Sequence, residues 1–233
     1  MYQESGSGYT YKTKIGRILK NAGLQPRNFN PKKNDPTSID SIIVINGQNY
    51  NIEIKNNLSD VDFGYASLMY DPNNYRWRIQ GSNDSMSNIL ATNKIEDQIN
   101  QRWSILGPPK KFTVSEDEFT FKDAYYDFNK FKPFFLRIPH DSVSKYYNGK
   151  NTYYMQIGGR GFYFMNANPA RISSMVDLSL EVRVQVRLKR NHSYPANDYT
   201  FSLSMRAVPG TLVNTENDIE DETFITKISS MNK

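Results

Sequence analysis

The chain has 233 residues, 38% of them hydrophobic and 13% aromatic, which is enough for one sizeable core or a core with a subdomain. Lys and Arg (29) outnumber Asp and Glu (24), and the resulting charge of +5 favours a polyanionic partner. With no cysteine there is no disulfide framework and no thiolate metal site, and with no apolar run of about 18 residues neither a membrane span nor a signal peptide is expected, so cytoplasm is the expected compartment.

Residues 1–9 read as a polar, flexible arm. Thr10 or Thr13 can cap a helix to about Ala22, because Ile15, Ile18, Leu19 and Ala22 share a face and Gly23 offers a stop. Lys12, Lys14, Arg17 and Lys20 populate its other faces, either as a solvated basic surface or as phosphate contacts. The loop over 25–37 is broken by three prolines and carries Arg27, Lys32 and Lys33 just ahead of a strongly apolar run.

That run is the first arm of a predicted hairpin. Ile42–Ile45 and Tyr50–Ile54 flank Asn46-Gly47, and Asn-Gly between β-branched runs is the strongest short-range hairpin signal. Asp40 then stands at the mouth of the first strand, while Glu53 and Lys55 lie two apart on one face of the second. Pairing about the turn brings all three to one end of one sheet.

A helix is expected from Ser59 or Asp60 to about Tyr70, with Phe63, Ala66, Met69 and Tyr70 as its apolar stripe. The strand Tyr75–Gln80 follows, placing Arg76 and Arg78 opposite Trp77. A second helix is expected over about 88–105, then an aromatic stretch over 112–135 whose acids follow no ligand spacing. From Lys132 the texture turns to β, with strand-like runs at 136–139, 152–157, 161–165, 178–189 and 199–207. In the run over 181–190, Val182, Val184, Val186 and Leu188 face inward, so Arg183, Gln185, Arg187 and Lys189 share the outer face about 6.8 Å apart, close to a backbone phosphate repeat. Residues 214–222 read as an acidic surface tail.

Two carboxylates about 4 Å apart in a low-dielectric site repel by several kcal/mol unless a cation or proton holds them, and a hard divalent ion is the natural partner. The pattern Asp40, twelve intervening residues, then Glu53-Ile54-Lys55 resembles the D-x(n)-E-x-K core of the PD-(D/E)XK, or restriction-endonuclease-like, nuclease superfamily over about residues 9–80. Ile39 stands where the family often has proline, and Asp62-Phe63-Gly64 is similar to the segment after the lysine in restriction-type members.

The resemblance implies an α/β (α+β) fold: a restriction-endonuclease-like αβββαβ core with a mixed central sheet flanked by helices. Residues 1–110 would form the nuclease core, and 111–233 a β-rich, DNA-contacting half continuous with it. It implies a Mg²⁺-dependent endodeoxyribonuclease of type II restriction-like action, with Mn²⁺ as substitute, metal held by Asp40, Glu53 and the Ile54 carbonyl, and Lys55 orienting the attacking water. Glu4 is the candidate for the auxiliary acid of the first helix. The expected DNA contacts are Lys32, Lys33, Arg76, Arg78, Arg183, Gln185, Arg187 and Lys189, and cutting both strands favours a homodimer. The alternative is a non-catalytic DNA-binding or structural protein of phage or viral origin. His140 and His192, the only histidines, sit in no paired metal or nuclease motif, and no nucleophile elbow is present.

Overall fold

The computed structural model describes residues 6–26, 28–29, 39–56, 65–82, 84–149, 151–165, 167–188 and 199–232. Glu4, Lys32, Lys33, Asp62-Phe63-Gly64, Lys189 and His192 lie outside them. The architecture is mixed α and β, with two five-stranded sheets. The chain divides into two compact units: Met1–Val61, His140–Leu180 and Ala207–Lys233 form the first, Asp62–Pro139 and Glu181–Arg206 the second. The units are therefore interleaved in sequence, where a division near residue 110 was expected.

In the first unit, α1 (Gly6–Asn21) exists because Tyr11, Ile15 and Leu19 recur every four residues and bury together. It ends in a Schellman arrangement: Gly23, at φ 70°, donates to the Lys20 carbonyl and Leu24 to the Leu19 carbonyl. β1 (Ser41–Ile45) and β2 (Gln48–Lys55) form the expected antiparallel hairpin, in register from Ser41 opposite Ile52 to Ile45 opposite Gln48. Asn46 (φ 53°) and Gly47 (φ 70°) both take the left-handed conformation that a two-residue type I′ turn needs.

The sheet continues in the order β1-β2-β6-β7-β8, with β6 at Thr152–Ile157, β7 at Gly161–Phe164 and β8 at Val176–Asp177. β6 runs parallel to β2, placing Met155 beside Glu53 and Ile157 beside Lys55, and turns through Gly158–Arg160 into antiparallel β7. A parallel neighbour needs a crossover, and the helix entering β6 is α5 (His140–Gly149). Little in that stretch marks a helix, since Val143 and Tyr147 are its only apolar pair at helical spacing.

The C-terminal segment is not a surface tail. Asn217 and Ile219 are buried, and α6 (Glu222–Ser230) seats Phe224 and Ile228 in the same core as Ile52, Ile54 and Tyr154. Its N-cap is Asp221, which accepts from the Thr223 amide. Buried Gln156 ties the segment to β6: its amide nitrogen donates to Asp218 and to the Tyr11 hydroxyl, and its oxygen accepts from the Ile219 amide.

The second unit holds the sheet β4-β3-β10-β9-β5. β3 is Tyr65–Asp71, so the expected helix to Tyr70 is a strand over every described residue. Ala66, Leu68 and Tyr70 are buried at period two, a pattern that the chance spacing of Phe63, Ala66, Met69 and Tyr70 obscured. β4 (Arg76–Gln80) buries Trp77 completely, packed among Trp103, Phe112, Phe131 and Phe201. The expected helix over 88–105 is two helices, α2 (Asp84–Thr92) and α3 (Ile95–Trp103). Lys94 breaks it at φ 50°, and the Asn93 side chain bonds back to the Ile89 carbonyl.

α4 (Phe121–Lys130) opens on a Thr120–Asp123 capping box. Its Asp127 belongs to the core rather than to an acidic surface, accepting from the Lys110 and Lys111 amides and the Tyr199 hydroxyl. β5 (Phe134–Arg137), β9 (Leu180–Leu188) and β10 (Tyr199–Ala207) complete the sheet. The C-terminal half is thus less uniformly β than expected, because α4, α5 and α6 lie in it. Among the described residues no helix is long and apolar enough to cross a membrane.

Candidate active site

β1 begins only at Ser41, opposite Ile52, so Glu53, Ile54 and Lys55 extend past it and the Ile54 amide has no β1 residue paired with it. The Asp40 carboxylate takes it instead, Oδ2 accepting at 2.8 Å. Its other oxygen, Oδ1, lies 2.8 Å from Lys12 Nζ, which α1 delivers because neighbouring Tyr11 is buried against the sheet. Glu53 and Lys55 share one face of β2 and pair with each other, Nζ to Oε1 at 2.8 Å. Asp40, Glu53 and Lys55 are thus brought together, with Lys12 as a fourth member that the sequence reading left on a general basic face.

The side chains are partly covered: Asp40 is 10% exposed, Lys55 18%, Lys12 25% and Glu53 27%. Burial, and then the charge of Glu53, push the Asp40 carboxyl up to about 6, against the opposing pull of Lys55 and Lys12. Burial pulls Lys55 down, but Glu53 and Asp40 outweigh it and hold the ammonium above the usual lysine value. The end of the hairpin therefore combines an acid whose charge is disfavoured with an amine whose charge is reinforced, the kind of contrast that marks functional sites.

The donor set can be compared with metal chemistry. Among the described residues no three His, Cys, Asp or Glu side chains group together. Mg²⁺ takes one or two carboxylates together with waters and phosphate oxygens, and Asp40 and Glu53 are the two carboxylates present here. The Lys55 carbonyl accepts from Gly158 on the β6 side, so the alternation of an extended strand turns the Ile54 carbonyl, like its amide, toward Asp40.

Other expected contact residues sit in the second unit. Arg76 lies 3.5 Å from Glu96 and 3.4 Å from Asp97, and Arg78 lies 3.2 Å from Glu96, so these two cations are neutralised by the first turn of α3. On β9, Val182 and Val184 are buried, leaving Arg183, Gln185 and Arg187 on the other face. Arg187 stands 5.9 Å from the Tyr65 ring. Arg206 of β10 joins that face: it pairs with Glu181 at 2.8 Å and lies 4.1 Å over the ring of Phe135, which is opposite Arg183. Sequence alternation within β10, with Phe201, Leu203 and Met205 inward, was the available signal for Arg206.

Comparison with known proteins finds no matching family model, no similar curated protein and no similar solved structure.

Proposed function

We propose that the protein is a Mg²⁺-dependent endodeoxyribonuclease, with Asp40 and Glu53 as the acids that hold the ion and Lys55 as the amine that orients the attacking water. The observation that carries this reading is the meeting of Asp40, Glu53 and Lys55 at one hairpin end, with the Asp40 carboxyl raised by burial and by its acidic neighbour. The order of elements supports it too. α1, the antiparallel β1-β2 hairpin, α5 and β6 parallel to β2 are consistent with part of an αβββαβ core, β1 and β2 supplying two of the three strands expected ahead of the crossover helix. On this reading α5 and β6, rather than residues 59–80, would be the helix and strand that close the core.

A bound Mg²⁺ would acidify its water and offset charge on the scissile phosphate. Asp40, fixed through Oδ2 on the Ile54 amide, has Oδ1 on the Lys12 side, and Lys55, held on Glu53, can steady a hydroxide or a phosphate oxygen. The cationic face of β9 supplies sequence-independent affinity for DNA through Arg183 and Arg187, with Gln185 suited to base edges. Mn²⁺ would substitute for Mg²⁺, a homodimer would cut both strands, and the cytoplasm is the compartment where such an enzyme meets DNA.

One observation favours a second reading, a DNA-binding protein without catalysis: each acid already has an ammonium at 2.8 Å, so the quartet is neutral as it stands. Supercoiled plasmid incubated in Mg²⁺, Ca²⁺ or EDTA separates the two. The nuclease reading expects nicking or linearisation only in Mg²⁺ (or Mn²⁺), with Lys55→Ala and Asp40→Ala slowed about 10²- to 10⁴-fold while still binding DNA in Ca²⁺. Intact plasmid under every condition, with DNA binding retained, assigns the protein to the second reading.

A further inference from the structure

Building on the nuclease reading, we propose that Lys12 is a place-holding cation, which occupies the Asp40 oxygen that a divalent ion takes and is displaced when the ion binds. Asp40 Oδ2 is committed to a backbone amide of β2 and cannot change partner without disturbing the strand. Oδ1 is different: its partner is the end of a flexible four-carbon stem, a quarter exposed and so with a path to solvent. Of the two oxygens, Oδ1 is the one whose partner can be exchanged.

The charge count gives the reason for the exchange. Asp40 and Glu53 are balanced by Lys12 and Lys55 in the ion-free protein. Adding a dication to that quartet leaves two positive charges in excess, and the one easily expelled is Lys12, since Lys55 is held on its own strand by Glu53 and is the less exposed of the two. Before the ion arrives, Lys12 keeps two neighbouring carboxylates from repelling; afterwards its ammonium is released at the rim of the site, where a phosphodiester approaches. Lys12 is thus a positioning residue that sets the threshold for loading the site. It stands on the helix where an auxiliary acid was sought in Glu4, and its charge is of the opposite sign.

The test is isothermal titration of the intact protein with Mn²⁺ at pH 8, comparing wild type with Lys12→Met, which keeps the stem, and Lys12→Arg, which keeps the charge. The expected result is about tenfold tighter Mn²⁺ binding in Lys12→Met, the size of a typical coupling between two ligands for one site, with Lys12→Arg close to wild type. Thermal unfolding gives a second readout: Lys12→Met melts lower than wild type in EDTA and gains more from Mn²⁺. Unchanged Mn²⁺ affinity, with the same loss of melting temperature with and without the ion, overturns the inference by making Lys12 a purely structural ion-pair partner; weaker Mn²⁺ binding by the variant overturns it as well. Wild type that binds no Mn²⁺ at all refutes the nuclease reading itself, a distinct outcome.

Discussion

Replacing Asp40 by Asn isolates the cost of keeping an ionised acid in this site. The folded protein raises the carboxyl from 3.8 to about 6, chiefly by burial and then by the charge of Glu53. An acid with a raised folded-state value keeps its proton between those limits while the unfolded chain gives it up, so stability is highest at low pH and falls as pH rises from about 3.8 to about 6. At about 1.36 kcal/mol per pH unit the fall is about 3 kcal/mol, and with the side chain 10% exposed little of it is screened away. Asn can still accept from the Ile54 amide but carries no charge, so the variant lacks this loss. The stability of Asp40→Asn minus that of wild type should therefore rise by about 2 to 3 kcal/mol between pH 4 and pH 7. The pairing of Lys12 with ionised Asp40 grows over the same pH range and is already included in the raised value, so it needs no separate allowance. Urea unfolding should be followed by far-UV circular dichroism, because Trp77 and Trp103 both lie in the second unit and their fluorescence reports on the wrong part of the chain. A stability difference that stays flat from pH 4 to pH 7 would refute the argument that ionised Asp40 is strained.

Two adjacent glycines should behave oppositely. A Cβ on Gly158 would fall 2.0 Å from the Asn56 carbonyl oxygen, so Gly158→Ala must push the ends of β2 and β6 apart, costing about 3 kcal/mol and cleavage activity with it; at Gly159, φ 70° with nothing within 4 Å, alanine should cost only about 1 kcal/mol. Melting curves and plasmid cleavage on the pair decide this. Gln156→Leu strands the Ile219 amide and leaves the Asp218 carboxylate, already raised by burial, with the Glu220 amide but without the Gln156 donor, and should lower stability by about 2 to 4 kcal/mol in denaturant titration. The double variant Arg183→Ala, Arg187→Ala should flatten the dependence of log affinity for DNA on log salt by roughly 1.8, at about 0.9 per lost phosphate contact, whereas an unchanged slope would remove β9 from the interface.

Much of the first hairpin was legible because its signals are local. Asn46-Gly47 fixes the turn type, the turn fixes the register, and the register fixes where Asp40 falls relative to Glu53 and Lys55. Lys12 was less legible, since which lysine of α1 faces the hairpin depends on how the helix is rotated, and Tyr11 rather than Ala22 anchors that rotation. The partner of β2 could not be read locally at all. β6 begins at Thr152, and nothing in either strand names the other; parallel neighbours are chosen by a crossover connection, here α5, whose own periodicity is faint. β3 was misread because four apolar residues in a short window satisfy periods of 3.6 and 2 almost equally, and the tie was broken by pairing with β4 and β10.

The interleaving of the units bears on why the site can form at all. The chain leaves the first unit after β2 and re-enters it at α5, so the 62–139 segment hangs from the connection between two strands that lie side by side. Loop-closure entropy grows only logarithmically with length, and a long insertion there adds little to the cost of pairing β2 with β6 once the second unit has its own aromatic core to offset its ordering. What cannot vary is the contact at the base of that connection, where the Gly158 amide donates to the Lys55 carbonyl and no side chain fits between. That contact closes the sheet immediately behind Lys55, turns the Ile54 carbonyl toward Asp40, and lets α1 lay Lys12 across the open end. The disfavoured charge on Asp40 is held there by its bond to the Ile54 amide of β2, so one carboxylate oxygen is fixed by a strand while the other meets Lys12 at the end of a flexible stem.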